Sequence, residues 1–373
     1  MTTSQPPPEP LPHVGPILDD RARRKRFEPH ELAIVLSHYD LGAIEQIRVY
    51  ARGSSSSPKV RIKTHRGVFL LKRRAPGRDD PYRVAFSHNI QLFLADRGYP
   101  VPRLIGTRET NNSMLQERGR IYEVFEYKSG RRYDSSAGAT EHAGAALAML
   151  HRLLDDFKPD YEPPRGSYHA AAGIDARLAR IPDAVAAREP DADRAALGKA
   201  CAYLRDAYHE AAEHVDRTGF GQWPRTVIHG DWHPGNLLYN APPDSSVVAV
   251  LDFDSARLEP LMADVANAAL QFSMELPSAD GATNGPKRLD LDRLRRLVRS
   301  YSRVAGDMIG SDELTALPWL MTEALILESV IPIAATGSFG HLSGSRFLRM
   351  VEGKVHWIGP RAEKLTRYVK EKR

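Results

Sequence analysis

One run of residues limits what this chain can fold into. It reads His229-Gly230-Asp231-Trp232-His233-Pro234-Gly235-Asn236, and sixteen positions after Asn236 comes Asp252. Asp252 closes the apolar run Val247-Val248-Ala249-Val250-Leu251, which reads as a buried strand that delivers the acid to its end. An aspartate five residues ahead of an asparagine, with a second aspartate at a strand end, suits phosphoryl transfer from Mg-ATP. One carboxylate takes the proton of an attacking hydroxyl. An amide oxygen and the other carboxylate hold the metal ions that neutralise the phosphates.

The spacing H-x-D-x-x-x-x-N is that of a kinase catalytic loop. Three fixed residues coincide by accident on the order of a few times in a hundred chains of this length, and the second aspartate lowers that further. Two other readings of the run stay open. Pro234-Gly235-Asn236 is a good turn, so the polar residues could merely cap and turn. His229, Asp231 and His233 alternate, and on a strand two imidazoles and a carboxylate sharing one face could bind zinc. Pro234 and Gly235 would end such a strand at once, and zinc leaves Asp252 unexplained.

These residues resemble the aminoglycoside phosphotransferase and choline kinase superfamily, whose fold is protein-kinase-like. The wording of the run is most similar to the branches of stress-response kinase A, the spore-coat kinase-like proteins and the homoserine kinase-like enzymes. Leu251-Asp252-Phe253-Asp254-Ser255-Ala256-Arg257, Pro260 and Asp264-Val265-Ala266 share the resemblance, which runs from about Ile44 to about Ser273. It implies an α+β, bilobal protein-kinase-like fold: a small β-rich N-terminal lobe and a larger, mostly helical C-terminal lobe. It implies that Asp231 is the catalytic base, that His229 belongs to the catalytic loop as its brace, and that Asn236 and Asp252 bind magnesium. Asp264 would tie the loop to the following helix. Asp254 reads equally as a metal-site or substrate-facing acid and as an exposed turn acid.

The chain has 373 residues, 42% hydrophobic and 27% charged, enough for two lobes with cores of their own. No run of eighteen apolar residues suggests a membrane span, and the Pro-rich first residues lack the apolar core of a secretory signal. A single cysteine, Cys201, excludes an internal disulfide and suits a cytoplasmic setting. The net charge of +5 owes something to Arg21-Ala22-Arg23-Arg24-Lys25-Arg26, read as a solvated tail or helix start. No basic stripe interleaved with aromatics points to nucleic acid.

Residues 1–27 read as a flexible tail, 28–128 as a nucleotide-binding lobe and 129–373 as a helical lobe with the catalytic loop and substrate pocket. Glu28-Pro29 opens a helix. Ile47–Tyr50 and Lys59–Lys63 alternate as half-buried strands, and the loop between them, with Gly53, Ser54 and Ser55, would fold over the ATP phosphates. Val68–Lys72 is a third strand, and Lys72 at its end is the phosphate-gripping lysine in preference to Lys63. The helix after Pro81 has Phe86, Ile90, Phe93 and Leu94 on one face but no glutamate to hold that lysine. Asp79 or Asp80 could substitute, or simply cap the helix. Ser113–Glu117 and Ile121–Tyr127 form a hairpin. By resemblance Glu126 and Tyr127 form the hinge, their backbone groups bonding adenine, with Phe125 behind the base.

Further on, His151 reads as a packing or capping residue, 156–222 as charged helices and loops that shape the substrate pocket, and 278–285 as an exposed loop. Trp319 to Ile331 reads as a helix stopped by Pro332. Glu323 and Glu328 read as solvated or structural, and Trp232 and Trp357 as pocket-lining or packing residues. The reading that follows is an ATP- and Mg²⁺-dependent kinase acting on a hydroxyl of a small metabolite: an amino alcohol, a sugar or an amino acid. The alternatives are a Ser/Thr protein kinase of the stress-response kinase A type and a nucleotide-binding pseudokinase. The missing helix glutamate and the glycine-poor loop favour the last.

Overall fold

The structure, a computed structural model, describes residues 25–51, 53, 56–275, 287–340 and 342–371. The expectations for the tail up to residue 24, for Ser54 and Ser55, and for the 278–285 loop fall outside these residues.

The N-terminal lobe starts with helix α1 (Pro29–Ser37), opened by a capping box between Glu28 and Glu31 with Pro29 in the first turn. Five antiparallel strands follow in the spatial order β1-β2-β3-β5-β4: β1 (Ile44–Val49), β2 (Lys59–Thr64), β3 (Gly67–Arg73), β4 (Leu115–Glu117) and β5 (Arg120–Glu126). Alternation along the strands sorts the side chains into two sets. Val60, Ile62, Leu71, Tyr122 and Val124 pack with Val35, Tyr39 and Leu41 beneath α1. On the other face Leu70 lies opposite Phe125, and Lys72 opposite Glu123. Phe27, at the end of the expected tail, stacks at 6.3 Å on Tyr122 and so belongs to the lobe.

Helix α2 (Pro81–Asp96) is capped by Asp80, which accepts from Arg83 N at 2.9 Å. Its Phe86, Ile90 and Leu94 join the main core. The C-terminal lobe contains α3 (Ala137–Leu154), α4 (Ile174–Ala186), α5 (Arg194–Arg217), α6 (Leu261–Ser273), α7 (Leu291–Ala305), α8 (Leu317–Thr336), α9 (Gly344–Ile358) and α10 (Ala362–Lys370). Two small antiparallel ladders interrupt the helices: β6 (Thr226–Ile228) with β9 (Arg257–Glu259), and β7 (Leu237–Tyr239) with β8 (Val247–Val250). A short hairpin, β10 (Ser338–Phe339) with β11 (Leu342–Ser343), precedes α9. The ladders place the site, because one loop leaves β6 for β7 and the other leaves β8 for β9.

One expectation fails along α8. Pro332 does not stop the helix, which continues to Thr336 and ends at Gly337 in the left-handed region. An interior proline costs ~3 kcal/mol, whereas one fully buried aliphatic side chain contributes ~1.5–3 kcal/mol. Ile331 and Ile333, flanking the proline, are both buried, so packing overrides the local signal. Of the two readings of Glu323 and Glu328, solvated or structural, burial favours the structural one, since both lie in the core. By length and hydropathy alone Glu313–Thr336 would suit a membrane crossing, but 83% of that window is buried inside the protein, as in a core helix.

Candidate functional site

The loop from β6 to β7 is pinned at its start by one buried acid. Asp264, in the first turn of α6, accepts the backbone N–H groups of His229 at 2.7 Å and Gly230 at 2.8 Å, and pairs with His151 Nε2 at 3.2 Å. Burial alone would raise its carboxyl, but the His151 contact and these backbone donors hold it below the usual carboxylate range. His151 also meets Tyr301 Oη at 2.8 Å, so it is part of the bracing network, as a packing role requires. Gly230 has φ 76°, and a Cβ there would collide with the Ser255 carbonyl and the Arg257 guanidinium. Only glycine fits so close to the second loop.

His229 uses both ring nitrogens inside the protein. Nδ1 accepts from Asp231 N at 3.3 Å, and Nε2 donates to the Leu251 carbonyl at 3.0 Å. Burial pushes its pKa down, in keeping with a neutral ring that ties one loop to the other. It therefore has no lone pair left for zinc. Among the described residues no group of three or more His, Cys, Asp or Glu side chains is arranged to hold a metal, so the zinc reading fails.

Asp231 and Asn236 meet directly. Asn236 Nδ2 donates to Asp231 Oδ2 at 3.2 Å and to its carbonyl at 3.0 Å. His233 Nε2 lies 3.5 Å from Asp231 Oδ1, while its Nδ1 accepts from Gly235 N. Against the upward push of burial, His233, His229 and Arg78 hold the Asp231 carboxyl below its ordinary value, so it stays ionised. The second loop is stitched to the first where Leu251 N donates to Asn236 O at 2.8 Å. That bond brings Asp252 alongside despite the gap in sequence. Asp252 has φ 62°, an uncommon conformation for a non-glycine residue. Among the described residues no hydrogen-bond donor reaches its buried Oδ1, and Lys72 Nζ lies 3.6 Å away. An orphaned carboxylate oxygen beside an amide is a donor set that a divalent cation suits. Magnesium takes one or two carboxylates and completes its shell with phosphates and water rather than a full protein cage.

Of the two candidate lysines Lys72 is the one beside these loops, while Lys63 pairs with Glu45 at the surface. Lys72 Nζ meets Asp254 at 3.0 Å and Glu123 at 3.9 Å. Arg74 binds both oxygens of Glu123, at 2.8 and 2.6 Å, and reaches Asp254 at 2.8 Å. His88 on α2 completes the cluster, with Nε2 at 2.7 Å from Glu123 and Nδ1 at 2.8 Å from Ser113 Oγ. Burial would depress the Lys72 ammonium, but Asp254 and Asp252 raise it above the usual lysine range. Arg74 and Lys72 outweigh burial at Glu123 and Asp254, and both carboxyls lie below the usual range.

With no glutamate on α2, Lys72 has its carboxylate neighbours in Asp254 at 3.0 Å, Asp252 at 3.6 Å and, from the adjacent strand β5, Glu123 at 3.9 Å. Asp79 and Asp80 do not substitute for that glutamate, since Asp79 accepts from Gly77 N and Asp80 caps α2. Asp254 is no exposed turn acid but a buried partner of two cations. The hinge expectation is narrowed at its donors. The Glu126 N–H donates to Arg103 O and the Tyr127 N–H to Val68 O, each at 2.8 Å, so neither is free for adenine. Phe125 is half-buried opposite Leu70 on the Lys72 face of the sheet. Gly53 makes its turn with φ 72° between β1 and β2.

Trp232 is fully buried, with its ring edge-on to His229 at 5.3 Å. Trp357 packs on the rim of the core beneath Arg361. Residue-by-residue reading passed over Glu123, Arg74, His88 and, as a partner of Asp231, His233. The alternation of β3 and β5 held a signal for Glu123, which it places on the Lys72 face.

Two loops and Lys72 thus bring Asp231, Asn236, Asp252 and Asp254 into one neighbourhood, and the comparison with known proteins supplies the family. A model of the phosphotransferase enzyme family (APH) matches residues 46–303, more than half of the chain. The chain belongs to that family. This phosphotransferase is 27% identical over 289 residues to the homoserine kinase of Caulobacter vibrioides, spanning 73% of this chain and 77% of the relative. It is 29% identical over 305 residues to the homoserine kinase of Afipia carboxidovorans, spanning 79% and 81%. Among solved structures it shares its fold with a microcompartment-associated aminopropanol kinase, with TM-score 0.66 and 16% identity over 91% of this chain and 99% of that one. The amicoumacin kinase bound to AMP-PNP and Ca²⁺ gives TM-score 0.62 and 13% identity over 90% and 95%. The α+β, bilobal kinase-like fold of the phosphotransferase accords with these neighbours.

Proposed function

We propose that this phosphotransferase moves the γ-phosphoryl group of ATP to a hydroxyl of a small metabolite. The observation that carries the reading is that Asp231 pairs with Asn236, Leu251 N joins the next loop to Asn236 O, and Lys72 stands 3.6 Å from Asp252 in that loop. Residues 28–128 form the nucleotide side and 129–373 the acceptor side. Lys72 grips the phosphates under the turn at Gly53, and Asn236 with Asp252 holds the divalent cation. Bound Mg²⁺ supplies neutralisation of the phosphate charge. Asp231, kept ionised, orients the acceptor hydroxyl. As the bond from phosphorus to the acceptor oxygen forms and the bond to ADP breaks, the hydroxyl proton passes to the Asp231 carboxylate. His229 holds the two loops in register.

Relatives named homoserine kinase favour a small hydroxyl-bearing acceptor over a protein. The pseudokinase reading loses its main support, because Glu123 stands beside Lys72 where the helix glutamate is missing. The buried free thiol of Cys201 suits a cytoplasmic enzyme. Labelled ATP, Mg²⁺ and a metabolite library test the reading. Label is expected in the small-molecule fraction. Label in protein alone would favour a protein kinase, and neither transfer nor stabilisation by Mg-ATP would refute the proposal.

A further inference from the structure

A cavity of about 420 Å³ opens where the single helical turn Glu313–Ala316, the start of α8 and the exposed face of α10 meet. Thr315, Trp319, Glu363, Thr366 and Arg367 line it. Its volume lies in the range of small-molecule sites. None of its lining side chains belongs to the loops that carry Asp231 and Asp252, so it is separate from the site of phosphoryl transfer.

Its lining has one charge of each sign. Glu363, Thr366 and Arg367 lie three and four residues apart and so share one face of α10. A glutamate four residues ahead of an arginine is well placed for an ion pair, yet among the described residues neither charged end has a salt-bridge partner. The two charges stand apart at the cavity, and both side chains are exposed. Trp319 supplies the apolar wall. Its indole is half-buried against the main core and stacks on His214 of α5 at 3.8 Å and 1°. Burial and the nearby Arg217 push the His214 pKa down, so a neutral ring backs the indole. The Thr315 hydroxyl donates to the Asp312 carbonyl, which leaves its oxygen free to accept. A phosphate or a nucleotide would meet Glu363 as well as Arg367, and a diamine would meet Arg367 as well as Glu363. A molecule with one charge of each sign satisfies both ends.

We propose that this cavity is a second ligand site that takes an α-amino acid with an apolar side chain. The Arg367 guanidinium binds its carboxylate, Glu363 with the Thr315 hydroxyl binds its ammonium group, and the side chain lies against Trp319. Hydrogen bonds between charged groups are stronger than neutral ones, so the site distinguishes an amino acid from analogues that lack either charge. The proposal stands on the cavity and its lining, and it does not rest on the phosphotransferase reading.

Calorimetric titration of the full chain with L-phenylalanine and L-leucine tests it, beside 2-phenylethylamine, which lacks the carboxylate, and 3-phenylpropionate, which lacks the ammonium group. At least one of the two amino acids is expected to bind with Kd on the order of 1 mM or tighter. Each one-charge analogue should bind roughly 10-fold more weakly than phenylalanine. Arg367→Gln and Glu363→Gln change exposed side chains, so both variants should fold, and thermal melts check that they do. Arg367→Gln should weaken the amino acid by roughly 10-fold and leave 2-phenylethylamine unchanged. Glu363→Gln should weaken the amino acid to the same degree and leave 3-phenylpropionate unchanged. The crossed pattern locates binding at this cavity, because an amino acid held beside Asp231 would be insensitive to both variants. Failure of both amino acids to bind, equal binding of the one-charge analogues, or an affinity that neither variant alters would overturn the proposal, and each of these outcomes leaves phosphoryl transfer standing.

Discussion

Replacing Glu123 with glutamine tests whether β5 really supplies the lysine's anchor. The carboxylate is fully buried and takes three partners: both nitrogens of the Arg74 fork at 2.8 and 2.6 Å, His88 at 2.7 Å and Lys72 at 3.9 Å. Glutamine keeps the volume and removes the charge. Removing one partner of a buried pair costs ~3–5 kcal/mol. Arg74 retains Asp254 at 2.8 Å, so the lower end applies, about 3 kcal/mol. In a chain of this size that is a fall in Tm on the order of 6 °C. Without Glu123, Lys72 keeps Asp254 at 3.0 Å but loses the second charge that fixes it, and KM for ATP should rise by roughly 10-fold. Urea unfolding and initial-rate kinetics measure the two effects. Asp183→Asn is the control, since the Asp183–Arg194 pair at 2.9 Å is largely exposed and is worth at most about 1 kcal/mol. Because the Glu123 carboxyl is held well below its ordinary 4.5, its contribution is present above that pH and is lost on acidification. The gap between wild type and variant should therefore narrow in acid. A loss below about 1 kcal/mol with an unchanged KM for ATP would refute the reasoning.

Gly230→Ala should abolish turnover and destabilise the fold by more than the ~1–2 kcal/mol of a left-handed alanine, because its Cβ meets the Ser255 carbonyl; urea unfolding beside an activity assay checks this. Glu328→Gln should make the empty protein more stable at pH 9 than wild type and nearly equal to it at pH 4.5. The sign follows from a carboxyl raised from 4.5 to about 8, whose stabilising protonated form is lost as pH rises through that value. The gain at high pH is on the order of a few kcal/mol, read from thermal melts across the pH range.

The fold and the heart of the site were legible because their signals are local. Alternation in Lys59–Lys63 marks β2, and the apolar run Val68–Leu71 ended by Lys72 marks β3. The spacing of Asp231, Asn236 and Asp252 survived because two short ladders, each paired over only a few residues, bring these positions together. What stayed illegible depends on packing across distant segments. Glu123 reaches Lys72 only once β5 lies beside β3; alternation puts each residue on a face, but the register that pairs them comes from the sheet. The N–H groups of Glu126 and Tyr127 are used by Arg103 and Val68, which the hinge pattern could not reveal. Pro332 sits inside α8 because the helix is buried nearly throughout, and burial outweighs a lost backbone bond. The same burial turns Glu323 and Glu328 from surface acids into core ones. Glu323 is satisfied by His169 and the Ala170 N–H.

The most direct test of the account titrates Mg-ATP into Asp231→Asn and Asp252→Asn and follows phosphoryl transfer in the same samples. The account predicts that Asp231→Asn binds Mg-ATP nearly as the wild type does while its transfer falls by roughly 10²–10⁴-fold. It predicts that Asp252→Asn loses Mg-ATP binding as well as transfer. Transfer at a near wild-type rate in Asp231→Asn, or undiminished Mg-ATP binding in Asp252→Asn, would contradict it.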